Sequence, residues 1–256
     1  MDMAKLAASL LVLLALVLGA APARAETVNC TAITVLPAVI TVQGIYCLTG
    51  HLNTAITSGN AIDIQTNNVT LDLNGFKLGG LAAGLGTAAI GIFAFNRQNI
   101  TIKNGTIRGF FRGIFLDDTT GTSQGHIVED IRADQITLSG IRVEGSGTIV
   151  RNNQVVATGG TTCCGPNPDV VGIVVDGAGP RVLNNDVIHT FKPGGGTARG
   201  ILFSSVTGGL AVNNRITEAD TGIEYSGSTG KYRDNLTFDV PTATRFVGGT
   251  AVGTND

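Results

Sequence analysis

The dipeptide Gly-Ile recurs along this chain at Gly91, Gly113, Gly140, Gly172, Gly200 and Gly222, with spacings of 22, 27, 32, 28 and 22. A second mark follows at nearly constant distance. Asn152-Asn153, Asn184-Asn185, Asn213-Asn214 and Asp234-Asn235 follow the last four glycines at offsets of 12, 12, 13 and 12, and Asn104-Gly105 follows Gly91 in the same way. The variable residues therefore fall mostly after the Asn pair, where loops would be inserted. Around each mark apolar and polar residues alternate, as in Gly140-Ile141-Arg142-Val143-Glu144 and Val69-Thr70-Leu71-Asp72-Leu73-Asn74-Gly75. Period two means strands with one face buried. So short a unit, about 22 residues, cannot bury that face alone, so units must stack on their neighbours.

Composition agrees. Gly is 36 of 256 residues, Trp is absent, and charged residues make up 14%. Helix formers are scarce beyond the segment 1–25, and abundant Gly, Asn and Thr favour short strands and tight turns. A hydrophobic fraction of 43% excludes wholesale disorder. A net charge of −2 gives no case for a nucleic-acid partner.

The stacking solution is an all-β parallel β-helix in which each strand pairs with its equivalent about 4.8 Å away in the next coil. Ile141, Ile173, Ile201 and Ile223 then form one interior ladder, and Val143, Val175, Phe203 and Tyr225 the next. The Asn residues stack at a turn, where Asn tolerates left-handed backbone and its amide can bond the next Asn. The Gly before Ile is expected to serve a sharp corner. This pattern resembles the right-handed, single-stranded parallel β-helix repeats of the pectin-lyase-like superfamily, over roughly residues 60–240. The reading is a solenoid of about seven to eight coils. Residues 26–60 form an N-terminal cap or first coil, 61–240 the helix proper, and 241–256 a C-terminal cap or tail.

Residues 1–25 read as a secretory signal peptide, with Lys5, an apolar run from Leu10 to Leu18, and a small-x-small cleavage site at Ala23-Arg24-Ala25. The expectation is a secreted or periplasmic protein without a membrane span. Four cysteines in an exported chain favour disulfides. Cys30 and Cys47 are expected to bridge and pin the cap. Cys163 and Cys164 either bond to each other or stay free.

The resemblance implies contact with extended polysaccharide along the outer face, by a polysaccharide lyase, a glycoside hydrolase or a noncatalytic binder. The alternatives are a noncatalytic structural or adhesive surface protein and a periplasmic accessory protein. The hydrolase motifs are mostly missing. Asp117-Asp118 and Gly125-His126 occur, but too close in sequence to lie on successive coils. His51, His126 and His189 are isolated.

If Ile points inward, the fourth residue after each glycine points outward, which aligns Asp117, Glu144, Asp176, Ser204 and Ser226. The outward position two earlier carries Phe115, Arg142, Val174, Leu202 and Glu224. Stacked carboxylates repel, and the cost falls with a cation such as Ca²⁺, with Arg142, or with a raised pKa on one acid. Unlike carboxyl pairs are also what glycosidic cleavage uses. Asp117, Glu144, Asp176 and Arg142 are therefore the catalytic candidates. The three acids are the candidate Ca²⁺ ligands. Phe93 and Phe115, with Arg112 and Arg199, are the candidate sugar-binding residues.

Overall fold

A computed structural model describes Thr27 and residues 29–256. The expected signal peptide lies outside them. The described chain is a parallel β-helix of three faces. One face is a nine-stranded sheet built from Ala38–Ile40, Asn60–Ile64, Ile90–Phe95, Arg112–Asp117, Ser139–Glu144, Val170–Ala178, Ala198–Thr207, Thr221–Ser226 and Phe246–Val247, in that spatial order. The other two faces share the long strands Ile100–Arg108 and Ile127–Asp134, which bend at Asn104 and Asp130 in left-handed backbone. Every paired strand is parallel to its neighbours, and the described residues contain only two 3₁₀ turns and no α-helix.

The register follows the repeat. Ile114, Ile141, Ile173, Ile201 and Ile223 stack in line, and so do Leu116, Val143, Val175, Phe203 and Tyr225. All are at most 5% exposed, so the interior is a continuous apolar column. Phe203 and Tyr225 lie face to face, 4.3 Å between centroids.

The repeated glycines serve a purpose other than the expected corner. None of the six has positive φ. A Cβ on Gly113, Gly172 or Gly200 would sit 2.5, 2.7 or 2.8 Å from the carbonyl oxygen of the glycine one rung on, so the column is set by close approach of backbones. The left-handed residues are instead the first of each Asn pair, at Asn152, Asn184, Asn213 and Asp234. The second Asn of each pair turns inward. Asn153, Asn185, Asn214 and Asn235 form a buried ladder in which each Nδ2 donates to the next Oδ1 at 3.0 to 3.1 Å, ending on Asn255.

The ends keep the register without the dipeptide. Ala38 pairs with Ile62 and Ile40 with Ile64. Residues 241–256, expected as a cap or tail, continue the coil: Phe246 pairs with Ile223 and Thr250 with Lys231. These end rungs bring the sheet to nine strands. Cys30 and Cys47 are bridged at the N-terminal end, and Cys163 bonds to Cys164 in the loop before Val170.

Candidate functional site

Outside the nine-stranded sheet, residues that alternate with the interior ladder form a strip along the helix axis. Phe93, Phe115 and Arg142 align across three rungs, and Phe95 and Asp117 pair beside them. Glu144 aligns with Asp176 on the next rung. Phe93 joins the three rings, its centre 6.5 Å from that of Phe95 and 5.6 Å from that of Phe115. Phe95 is 42% exposed, so the shelf is open at one end. The Arg112 guanidinium lies 4.8 Å from the centre of Phe115 and 5.1 Å from that of Phe111, and Arg142 lies 5.3 Å from Phe115. Planar cations against rings hold the shelf in place while leaving N–H donors at its edge.

The acids sit at the other side of the strip. Glu144 is only 8% exposed, and its Oε1 accepts from Arg142 Nε and Nη2, each at 2.6 Å. Its Oε2 accepts from the Asp118 backbone N–H at 3.1 Å. Asp118 caps the adjoining loop, with Oδ1 accepting from the N–H groups of Thr120, Gly121 and Thr122 and Oδ2 from Ser123. Partial burial, then the Glu144 charge, then a hydrogen bond with Glu144 raise the Asp117 pKa. Burial and then Glu144 raise Asp176 as well. The stacking repulsion expected from the sequence is thus met by Arg142 and by two weakened acids. Among the described residues no three His, Cys, Asp or Glu side chains converge as a ligand set for a metal.

Two expected positions differ. Val174 occupies the outward column but is 2% exposed, covered on the outer side rather than free. Arg199 does lie on the same outer face, yet it is held between Asp169 Oδ2 at 2.8 Å and Glu224 Oε2 at 2.5 Å. Its fork is occupied, and it stands two rungs beyond Arg142. His126 is buried inside the helix, where its Nδ1 accepts from the Ile100 N–H. It cannot complete a hydrolase set with Asp117. Phe111 and Asp118 are working parts of the strip that no repeat position marked. Phe111 lies before the dipeptide, and the role of Asp118 is visible only once its loop folds back.

The fold places the chain among parallel β-helix proteins, and sequence places it more narrowly. A family model described as NosD, periplasmic copper-binding protein, matches residues 52–237. The chain belongs to that family. No curated protein sequence matches it. Among solved structures it resembles full-length tailspike protein 2 from an Escherichia coli O157:H7 bacteriophage, with 17% identity and a TM-score of 0.61, covering 88% of this chain and 35% of that one. The enzymatically active domain of tailspike protein 2 of bacteriophage CBA120 gives 16% identity and a TM-score of 0.58, over 88% of this chain and 39% of that one. Alginate lyase from Paenibacillus sp. str. FPU-7 gives 15% identity and a TM-score of 0.53, over 78% and 71%. The chain spans little more than a third of the tailspike chains, and at these identities the likeness is one of fold.

Proposed function

We propose that this protein is an exported β-helix that binds an extended saccharide along the outer strip of its nine-stranded sheet and does not cleave it. The observation that supports this is the strip itself, with an aromatic shelf, cationic donors and carboxyl acceptors continuous over four rungs. Sugar rings offer an apolar face of C–H groups and a rim of hydroxyls, which an aromatic shelf edged by Arg and carboxyl groups matches. The tailspikes and the alginate lyase lend the reading only the precedent of the scaffold.

Binding without cleavage follows from how the acids are engaged. Glycoside hydrolysis needs one carboxyl to protonate the leaving group and a second that is free to act as base or nucleophile. Asp117 has the raised pKa of an acid, from partial burial and then the Glu144 charge, but its partner Glu144 is not free. Glu144 is spent on Arg142 and the Asp118 N–H. Arg142, the base that a lyase would need, is neutralised by the same contact.

The family description raises copper, and the residues of this chain do not fit it. Copper favours imidazole and sulfur ligands. All four cysteines are in disulfides, and the two methionines, Met1 and Met3, lie outside the described residues. His51 Nδ1 accepts from Lys77 N–H, His126 is buried on Ile100, and His189 pairs with Glu218. No two of these histidines share a cluster with a third ligand among the described residues. Export is supported by the two disulfides, which persist in oxidising compartments, by the leader-like segment 1–25, and by the family's periplasmic description.

Gel electrophoresis through immobilised alginate, polygalacturonate and neutral glucans tests the proposal. At least one polymer should retard the protein, Phe115→Ala should weaken retardation at least tenfold, and no new reducing ends or unsaturated sugars should appear. Retardation by none of the polymers would overturn binding. Depolymerisation abolished by Glu144→Gln would overturn the noncatalytic reading.

A further inference from the structure

A second column of left-handed residues runs along the other turn, and its residue types are unusual. Gln135, Ala157, His189, Glu218 and Asp239 all have φ between 52° and 58°. At the Asn turn the same backbone is taken by Asn or Asp, which tolerate it. Gln135, Ala157 and Glu218 are not chosen by backbone preference, and strained positions of this kind concentrate where side chains are put to use.

Beside this column lies a cleft of about 490 Å³, within the range of small-ligand sites. One wall is hydrocarbon, from Leu81 and Leu85 of the 80–87 loop, which are 48% and 56% exposed. The opposite wall is Phe191, stacked on His189 at 4.8 Å between centroids. The backbone approaches closely here, since a Cβ on Gly159 would meet Phe191 and one on Gly109 would meet Leu81.

Three polar groups in the cleft have unspent hydrogen-bonding capacity among the described residues. Thr137 is 2% exposed and its buried Oγ1 has no partner. Gln135 Oε1 accepts from Arg108 Nη2 at 2.9 Å, leaving its Nε2 donors free. His189 Nδ1 is fixed on Glu218 Oε2 at 2.7 Å, leaving Nε2. A buried unpartnered hydroxyl is costly unless something completes it. The nearby Arg108 is already paired with Asp134, and Glu218 is engaged by a hydrogen bond with His189. An anionic ligand would find no free counter-ion among these groups.

We propose that this cleft binds one uncharged sugar ring, with its C–H face on Phe191 and its hydroxyls on Gln135, Thr137 and His189. The site is separate from the strip on the nine-stranded sheet and does not depend on it. An apolar wall opposite an aromatic one, with isolated donors and acceptors between, suits a ring that is apolar on its faces and polar at its rim. A purely apolar ligand would leave the Thr137 hydroxyl and the Gln135 amide unpaired.

The test titrates the whole protein with the methyl glycosides of glucose, galactose, mannose and N-acetylglucosamine, followed by ligand-observed saturation-transfer NMR and by the imidazole carbon protons of His189. At least one glycoside should bind and shift the His189 signals. Phe191→Ala should weaken binding at least tenfold, and Thr137→Val, which keeps the side-chain shape, should weaken it severalfold. Phe238→Ala, exposed elsewhere, should bind as the wild type does. Thermal melts establish that each variant is folded. Absence of binding by all four glycosides would overturn the proposal, as would binding indifferent to both Phe191→Ala and Thr137→Val. Occupation by a fluorescent fatty acid in a Phe191-dependent manner, with no sugar bound, would assign the cleft to an apolar ligand instead.

Discussion

Asn184 and Asn185 are adjacent and do opposite work. Asn184 turns outward with φ of 55°, and its Nδ2 reaches Asn152 Oδ1 at the surface. Asn185 is fully buried. Its Nδ2 donates to Val150 O and Asn214 Oδ1, and its Oδ1 accepts from the N–H and Nδ2 of Asn153. Asn185→Ala strands those buried partners and should cost about 3 kcal/mol or more in a urea melt, since each orphaned group costs about 1–3 kcal/mol. Asn184→Ala should cost about 1 kcal/mol, the penalty for left-handed backbone. His126 belongs to the same scale. Burial, the largest influence, lowers its pKa to about 4, while Asp118 opposes the change. The unfolded chain titrates near 6.5, so below that pH it binds a proton that the native state refuses. Stability is therefore full above about pH 6.5 and falls as pH drops towards 4, by up to about 3 kcal/mol. His126→Gln should flatten that part of the pH profile. At Arg142 the prediction concerns calcium. With Glu144 already neutralised, Ca²⁺ and chelator should give the wild type the same melting temperature. Arg142→Ala removes the internal cation and should acquire a Ca²⁺-dependent rise, because ligand bound only to the folded state stabilises by mass action. A Ca²⁺ shift in the wild type would mean that the acids gather around a cation despite Arg142.

Strand by strand, the fold tests its own inward–outward order. Ile173 sits in the middle of the interior ladder with rungs packed on both sides. Ile173→Ala should cost about 2–5 kcal/mol, because neighbouring rungs cannot collapse into the gap. Val174 faces outward yet is buried, so Val174→Ala should cost about 1–2 kcal/mol instead of nothing. A chemical melt of the two variants separates these values. The contrast shows what was legible in the sequence. Alternation placed Ile173 and Val174 on opposite faces, and the Gly-Ile spacing set which strands align. Neither carries information about how far an outer face is covered. The same limit applied to Arg199. Its position was readable, but its partners Asp169 and Glu224 come from distant points of the chain, on other coils. The column Gln135, Ala157, His189, Glu218 and Asp239 was invisible because no residue type repeats along it. The end rungs were blurred because Ala38 and Phe246 stand where the interior rungs have Ile.

As a whole molecule, a solenoid has most of its contacts between successive rungs, so its stability is close to a sum of rung and interface contributions and its ends are the weakest places. The two ends are held differently. At the C-terminal end the Asn ladder runs out on Asn255, with Phe246 stacked 5.0 Å from Tyr232. At the N-terminal end Cys30 is tied to Cys47, which is buried, and Thr27 reaches across to Asp72 with its hydroxyl at 2.5 Å and to Asn74 with its N–H at 2.9 Å. The crosslink joins positions separated by 17 in sequence, worth about 3 kcal/mol on the chain-entropy account. In a linear stack that stabilisation should remain local. Replacing the pair by Cys30→Ser and Cys47→Ala should leave the amides of 139–226 as protected as before in hydrogen-exchange mass spectrometry. Exchange should accelerate in 31–64, where opening no longer has to overcome the crosslink. Equal acceleration across all nine rungs would show that the helix opens as one cooperative body. The C-terminal Asn255 and Phe246 contacts would then be bracing the whole stack, and not its last rung alone.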